Sequence, residues 1–124
     1  MTAFDDAGLE RYLREDPGGP VVMLNLLRFV PEGGAEKYLE YVAHFASTGI
    51  TERYGVEVVY GGTGSSVLVA DDGQTWDAVA LVRYPNRQQF VAMVRDPDYL
   101  RFEHLRTEAL TASVLQATVP LPAG

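Results

Sequence analysis

Cysteine is absent from the 124-residue chain. That excludes disulfides, thiolate metal sites and a cysteine nucleophile together, and it fits a reducing compartment. Basic residues are scarce: 10 Lys and Arg stand against 17 Asp and Glu, for a net charge of -7. Neutralising nucleic-acid phosphates takes clustered Lys and Arg, and an anionic membrane surface asks for the same, so neither partner fits. No run approaches the ~18 apolar residues of a membrane helix. The start, MTAFDDAGLERYL, is acidic where a signal peptide needs a basic end. A soluble cytoplasmic protein is the expectation. Histidine is rare as well, with only His44 and His104, and their positions with no repeated carboxylate spacing give no metal signature. The glycine-rich Gly61-Gly62-Thr63-Gly64-Ser65-Ser66 lacks the lysine and following helix of a phosphate loop, so no nucleotide cofactor is expected.

What is present suits one globular domain, with 47% apolar and 22% charged residues. Asp5 to Arg14 reads as a short helix capped by Asp5 or Asp6, ended by Asp16-Pro17-Gly18-Gly19-Pro20. Val21 to Phe29 is almost continuously apolar, the pattern of a strand covered on both faces, and alternation sends its Asn25 and Arg28 to opposite sides. Ala35 to Tyr54 has helical period, weakened at Gly49 and capped by Gly55. Val56 to Tyr60 is a second strand, with the glycines after it a bend and Ser65 to Ala70 continuing in extended form. Asp72-Gly73 is a hairpin turn signal. The third strand runs from Thr75 to Tyr84, and the next helix opens at Asn86 with Gln89 at the capping-box position. A further helix from Pro97 to about Leu110 places Tyr99, Phe102, Arg106 and Ala109 near one face, before a last strand over Ala112 to Val119.

This order is an α+β, ferredoxin-like β-α-β-β-α-β core over residues 20–119, with an N-terminal helical extension over 1–19 and a tail over 120–124. Helices cover one sheet face. Strands one and three are apolar on both, so the open face predicts a homodimer stacked through it.

The chain resembles the DUF1330 family of the dimeric α+β barrel superfamily. The likeness is carried by Met23-Leu24-Asn25-Leu26, Tyr54-Gly55, Trp76, Arg83-Tyr84-Pro85-Asn86-Arg87, Asp96-Pro97-Asp98-Tyr99 and Leu105-Arg106. Met93 departs from it, standing where family members often carry tryptophan. The resemblance implies the dimer. It also implies chemistry like that of superfamily relatives, small-molecule isomerases and cofactor-free monooxygenases working between sheet and helices.

The candidate site residues follow. Asn25 is an amide inside an apolar strand, and its hydrogen bonds must be met by a substrate or by neighbouring backbone. Arg28, Arg83 and Arg106 offer carboxylate forks, or internal ion pairs with Asp77, Asp96 or Glu108. His104, beside Glu103, is the candidate acid or base, with Tyr84 as a second proton-exchanging group. Trp76, Tyr60 and Tyr99 are expected to wall the pocket. The expected function is cofactor-independent chemistry on a small carbonyl or carboxylate compound. The alternative is a non-catalytic small-ligand-binding or structural homodimer. Convergence of Asn25, Arg106 and His104 on one pocket separates the two.

Overall fold

The structure is a computed structural model that describes residues 4–15 and 18–122. Asp16 and Pro17 of the expected helix stop lie outside the described residues. The elements are α1 (Asp6–Arg14), β1 (Val21–Phe29), α2 (Gly34–Ser47), α3 (Ile50–Tyr54), β2 (Glu57–Thr63), β3 (Ala78–Tyr84), α4 (Arg87–Val94), α5 (Pro97–Leu100), α6 (Glu103–Ala109) and β4 (Leu110–Thr118). The four strands form an antiparallel sheet in the order β2-β3-β1-β4. That is the ferredoxin-like α+β arrangement. Among the described residues no helix is long and apolar enough to cross a membrane.

Local signals account for most boundaries. Asp5 caps α1 by accepting from the Gly8 amide at 2.6 Å, and Asn86 caps α4 by accepting from the Gln89 amide at 2.8 Å. Asp96 caps α5, accepting from the Asp98 amide at 2.8 Å, with Pro97 at the first helical position where its missing N–H costs nothing. The single helix expected over 35–54 is two. Gly49 takes φ 82°, a left-handed conformation that closes α2 and admits α3 at a new angle. The helix expected from Pro97 to Leu110 also divides, at Arg101 and Phe102, yet Tyr99, Phe102, Arg106 and Ala109 are all buried as that reading required.

The β2–β3 connection differs from expectation. Asp72-Gly73 does turn, with Gln74 N–H donating to the Asp71 carbonyl at 3.2 Å. Ser65 to Ala70 is not strand, however, and β3 begins at Ala78, so a long loop over residues 64–77 joins the strands. Arg28 holds that loop, donating to the Gly73 carbonyl at 2.6 Å and to the Thr75 carbonyl at 2.8 Å. The loop ends are joined by backbone as well, the Gly64 amide donating to the Asp77 carbonyl at 2.8 Å. The irregularity in β2 lies before its glycines, between Val58 and Tyr60. This bulge resets the alternation, so Val58 and Gly61 face the same side.

The core sits between the sheet and the helices. Val21, Met23, Asn25 and Leu27 are the inward row of β1, packed under Tyr41, Phe90, Met93, Tyr99 and Phe102. Helix α1 docks on α4 through Leu9 and the edge-on contact of Tyr12 with Phe90, centroids 6.3 Å apart. On the other sheet face lie Val22, Leu24, Leu26, Val79, Leu81 and Val114, each only partly covered.

Candidate functional site

A cavity of about 900 Å³ lies between the sheet and the helices. Its walls are mostly apolar; Asn25, Arg106 and four tyrosines, Tyr38, Tyr41, Tyr84 and Tyr99, supply most of its polar groups, with Thr51, Thr63 and Asp77 also on the lining. Asn25 arrives there because β1 is an inner strand whose odd-numbered residues face the helices. Arg106 is delivered by α6 from above, on the face that also buries Phe102 and Ala109.

Arg106 is only 7% exposed and Asn25 only 8%. The Arg106 Nη2 donates to Asn25 Oδ1 at 3.3 Å, and the guanidinium lies near enough to the Tyr38 hydroxyl to oppose the rise in its pKa. The Asn25 amide donates to the Met23 carbonyl at 3.4 Å. Among the described residues no carboxylate makes an ion pair with Arg106. The acids expected to fill that role are engaged elsewhere. Asp96 pairs with Arg53 at 2.6 Å, Glu108 pairs with Lys37 at 3.0 Å, and Asp77 accepts from the Phe29 amide at 2.9 Å. Glu103, one turn back on α6, feels Arg106 electrostatically; burial raises its pKa, and the guanidinium opposes that rise.

The tyrosines are held protonated. Burial pushes Tyr41 well above its ordinary range and raises Tyr84 strongly, while Tyr99 is pushed up to about 12, burial again being the largest cause. Tyr38 is raised by burial too, with Arg106 pulling it down. The Tyr41 and Tyr99 hydroxyls lie 3.1 Å apart and share a hydrogen bond. The site is therefore a buried cation, an amide and a set of neutral hydroxyls under an apolar roof, with the Asp77 carboxylate, held by the Phe29 amide, also on its lining.

Of the residues singled out in the sequence, Asn25, Tyr84, Tyr99 and Arg106 border this cavity. The other five, Arg28, Tyr60, Trp76, Arg83 and His104, do not. His104 is exposed, because residues two apart on a helix point to nearly opposite sides and Arg106 takes the inward one. Arg83 is adjacent to the inward Tyr84, so alternation turns it to the open sheet face, opposite Glu57 in the register. Tyr60, 57% exposed, stands across from Leu81 on that same face. Trp76 precedes β3 and stacks under the Arg28 guanidinium at 4.8 Å. Arg28 thus serves the loop and not the cavity. Tyr38 and Tyr41 were missed as site residues. Their signal was two tyrosines three apart on an apolar helical stripe, whose buried hydroxyls must find partners. His44, the other histidine, stacks on Phe102 with ring centroids 5.5 Å apart and is exposed. Among the described residues no group of three His, Asp or Glu side chains is placed to hold a metal ion.

The family model described as a domain of unknown function, DUF1330, matches residues 33–118. The chain belongs to the DUF1330 family. A structure of RPA0582, a protein of unknown function from Rhodopseudomonas palustris, is 31% identical over 98% of this chain and 97% of its own, with a TM-score of 0.84. More distant likenesses share the fold alone. They include a hydroxynitrile lyase from Passiflora edulis, 14% identical over 87% of this chain and 99% of that one, with a TM-score of 0.66. Another is a dimeric ferredoxin-like protein of unknown function from Jannaschia, 12% identical over 82% of this chain and 100% of its own, TM-score 0.63. No curated protein matches this DUF1330 member.

Proposed function

We propose that the cavity binds a small organic molecule bearing a carboxylate or carbonyl, held by Arg106, Asn25 and the Tyr38 hydroxyl. The observation that carries this reading is the Arg106 guanidinium, buried on the cavity wall with no ion-paired carboxylate among the described residues. An isolated buried charge is costly, and a planar fork of donors fits a carboxylate in two parallel bonds. Calorimetric titration of small carboxylic acids against their neutral amides tests it. Charge-assisted hydrogen bonds contribute ~1.5–3 kcal/mol, so Arg106→Met weakens carboxylate binding roughly tenfold or more. The fold survives, because an apolar side chain replaces a buried charge. Equal affinity for acids and amides would refute the reading.

Within it, a cofactor-independent enzyme rests on the Tyr41–Tyr99 hydroxyl pair, 3.1 Å apart on the cavity wall and able to donate a hydrogen bond to a carbonyl oxygen. Polarising a carbonyl then rests with the tyrosines, since His104 is exposed on α6 and does not border the cavity. The alternative is a binder without chemistry, and ligand recovered unchanged after incubation with the protein favours it. We also propose a homodimer that buries the open sheet face. Val22, Leu24, Leu26, Val79, Leu81 and Val114 form an apolar surface that one chain leaves half-covered.

A further inference from the structure

We propose that the ligand is an elongated monocarboxylate whose apolar body runs from Arg106 across the sheet to an opening at the β2 edge, and that Gly61 sets how long that body can be. This rests on the binding reading above and adds the ligand's shape and the residue that measures it.

The sheet register lays out the path. Leu115, Asn25, Ala80 and Gly61 are consecutive neighbours across β4, β1, β3 and β2, and all four line the cavity. Going from the polar end toward the edge, side-chain volume falls from asparagine to alanine to nothing. The adjacent row, Leu27, Ala78 and Thr63, shrinks in a similar way over β1 and β3. Strands stand ~4.8 Å apart, so the floor from Asn25 to Gly61 is about 10 Å long. That accommodates an acyl chain or an aromatic ring with a short arm.

At the edge the cavity opens. Leu39 and Val42 of α2 and Val58 of β2 line it and yet are 66%, 44% and 64% exposed. Three exposed apolar side chains around one opening make a mouth that admits an apolar body. The buried cation lies at the other end, so a carboxylate enters first and the tail trails toward the mouth.

Gly61 lies exposed on the edge strand, where neither packing nor backbone conformation calls for glycine. A β-carbon built on it meets nothing within 4 Å, and its φ is not in the left-handed region. Its neighbour Gly62 differs, since a β-carbon there would strike the Tyr60 ring at 2.9 Å. Glycine inside a strand weakens it and marks a bulge, a tight bend or a close approach by a ligand or another backbone; the bulge of β2 falls before Tyr60, and Gly61 pairs in register with Ala80. Here that space belongs to the cavity.

The test titrates butyrate, hexanoate, octanoate, decanoate and octanamide into the full chain by calorimetry, with native protein, Gly61→Ala and Gly61→Leu. For native protein, affinity rises up to octanoate, by roughly fourfold per buried methylene as an upper bound. Octanamide binds about tenfold more weakly, through loss of the charge-assisted bonds. Gly61→Leu weakens octanoate by about tenfold while leaving butyrate within about twofold, and Gly61→Ala falls between them. Circular dichroism verifies that each variant is folded, and the alanine variant carries the comparison if the leucine one is not. Octanoate binding that ignores Gly61, or a Gly61 effect equal for all lengths, overturns the path and leaves the Arg106 reading standing. If no carboxylate binds the native protein, both fall.

Discussion

Removing the Tyr41 hydroxyl isolates one of the few polar contacts inside the core. Tyr41→Phe keeps the ring packed against Tyr38 and Phe102, whose centroids lie 5.3 and 5.6 Å away, but leaves the Tyr99 hydroxyl buried without its partner. An unsatisfied buried hydroxyl costs ~1–3 kcal/mol, so the urea midpoint of Tyr41→Phe falls by that equivalent. An unchanged midpoint would mean that water or another group serves Tyr99. At this scale the sequence singled out Asn25 and Arg106 as polar groups to be met by a substrate or by an internal partner. It could not say that they are each other's, because a contact across 81 residues depends on how α6 settles over β1. The five candidates that lie elsewhere follow from the same long-range geometry: the inward rotation of α6, the parity of β3, the bulge of β2 before Tyr60, and the loop that Arg28 holds.

Among the elements, the junction of α3 with α5 depends most on charge. Asp96 accepts from the Tyr54 hydroxyl at 2.5 Å, from the Asp98 amide and from Arg53, while capping α5. These hydrogen bonds, Tyr54's foremost, lower its pKa from 3.8 to about 2. The sign follows from linkage: a carboxylate with a depressed folded pKa stabilises the fold above its unfolded pKa, and that contribution disappears as the pH falls through the folded value. Native protein is therefore expected to lose stability between pH 3.8 and about 2, and Asp96→Asn to lose less over that window while starting from a lower plateau. Denaturation midpoints measured across the window check this; parallel profiles for the two proteins would contradict it. The caps at Asp5, Asn86 and Asp96 were legible because a cap needs only its own next three residues. Gly49 was legible as a weak point but not as a corner, since only the packing of α2 and α3 on their separate neighbours decides the angle between them.

For the whole molecule, the decisive quantity is the state of association. Sedimentation equilibrium is expected to give twice the 13.6 kDa chain mass, and Leu24→Glu, which sets a charge in the centre of the open face, is expected to shift the population toward monomer. A native protein sedimenting as a single chain would remove the dimer. The exposed Val67, Leu68 and Val69 on the β2–β3 loop add apolar surface that a second copy can cover. By itself the sequence determined the order of elements, the four-stranded core and the apolarity of both sheet faces. Those follow from periodicity, caps and turns, which act within a few residues. Only the tertiary structure decided which face holds the cavity, which polar residues meet there, and that its floor empties toward Gly61. Strand register and helix rotation join residues far apart in the chain, and short-range pattern does not encode them.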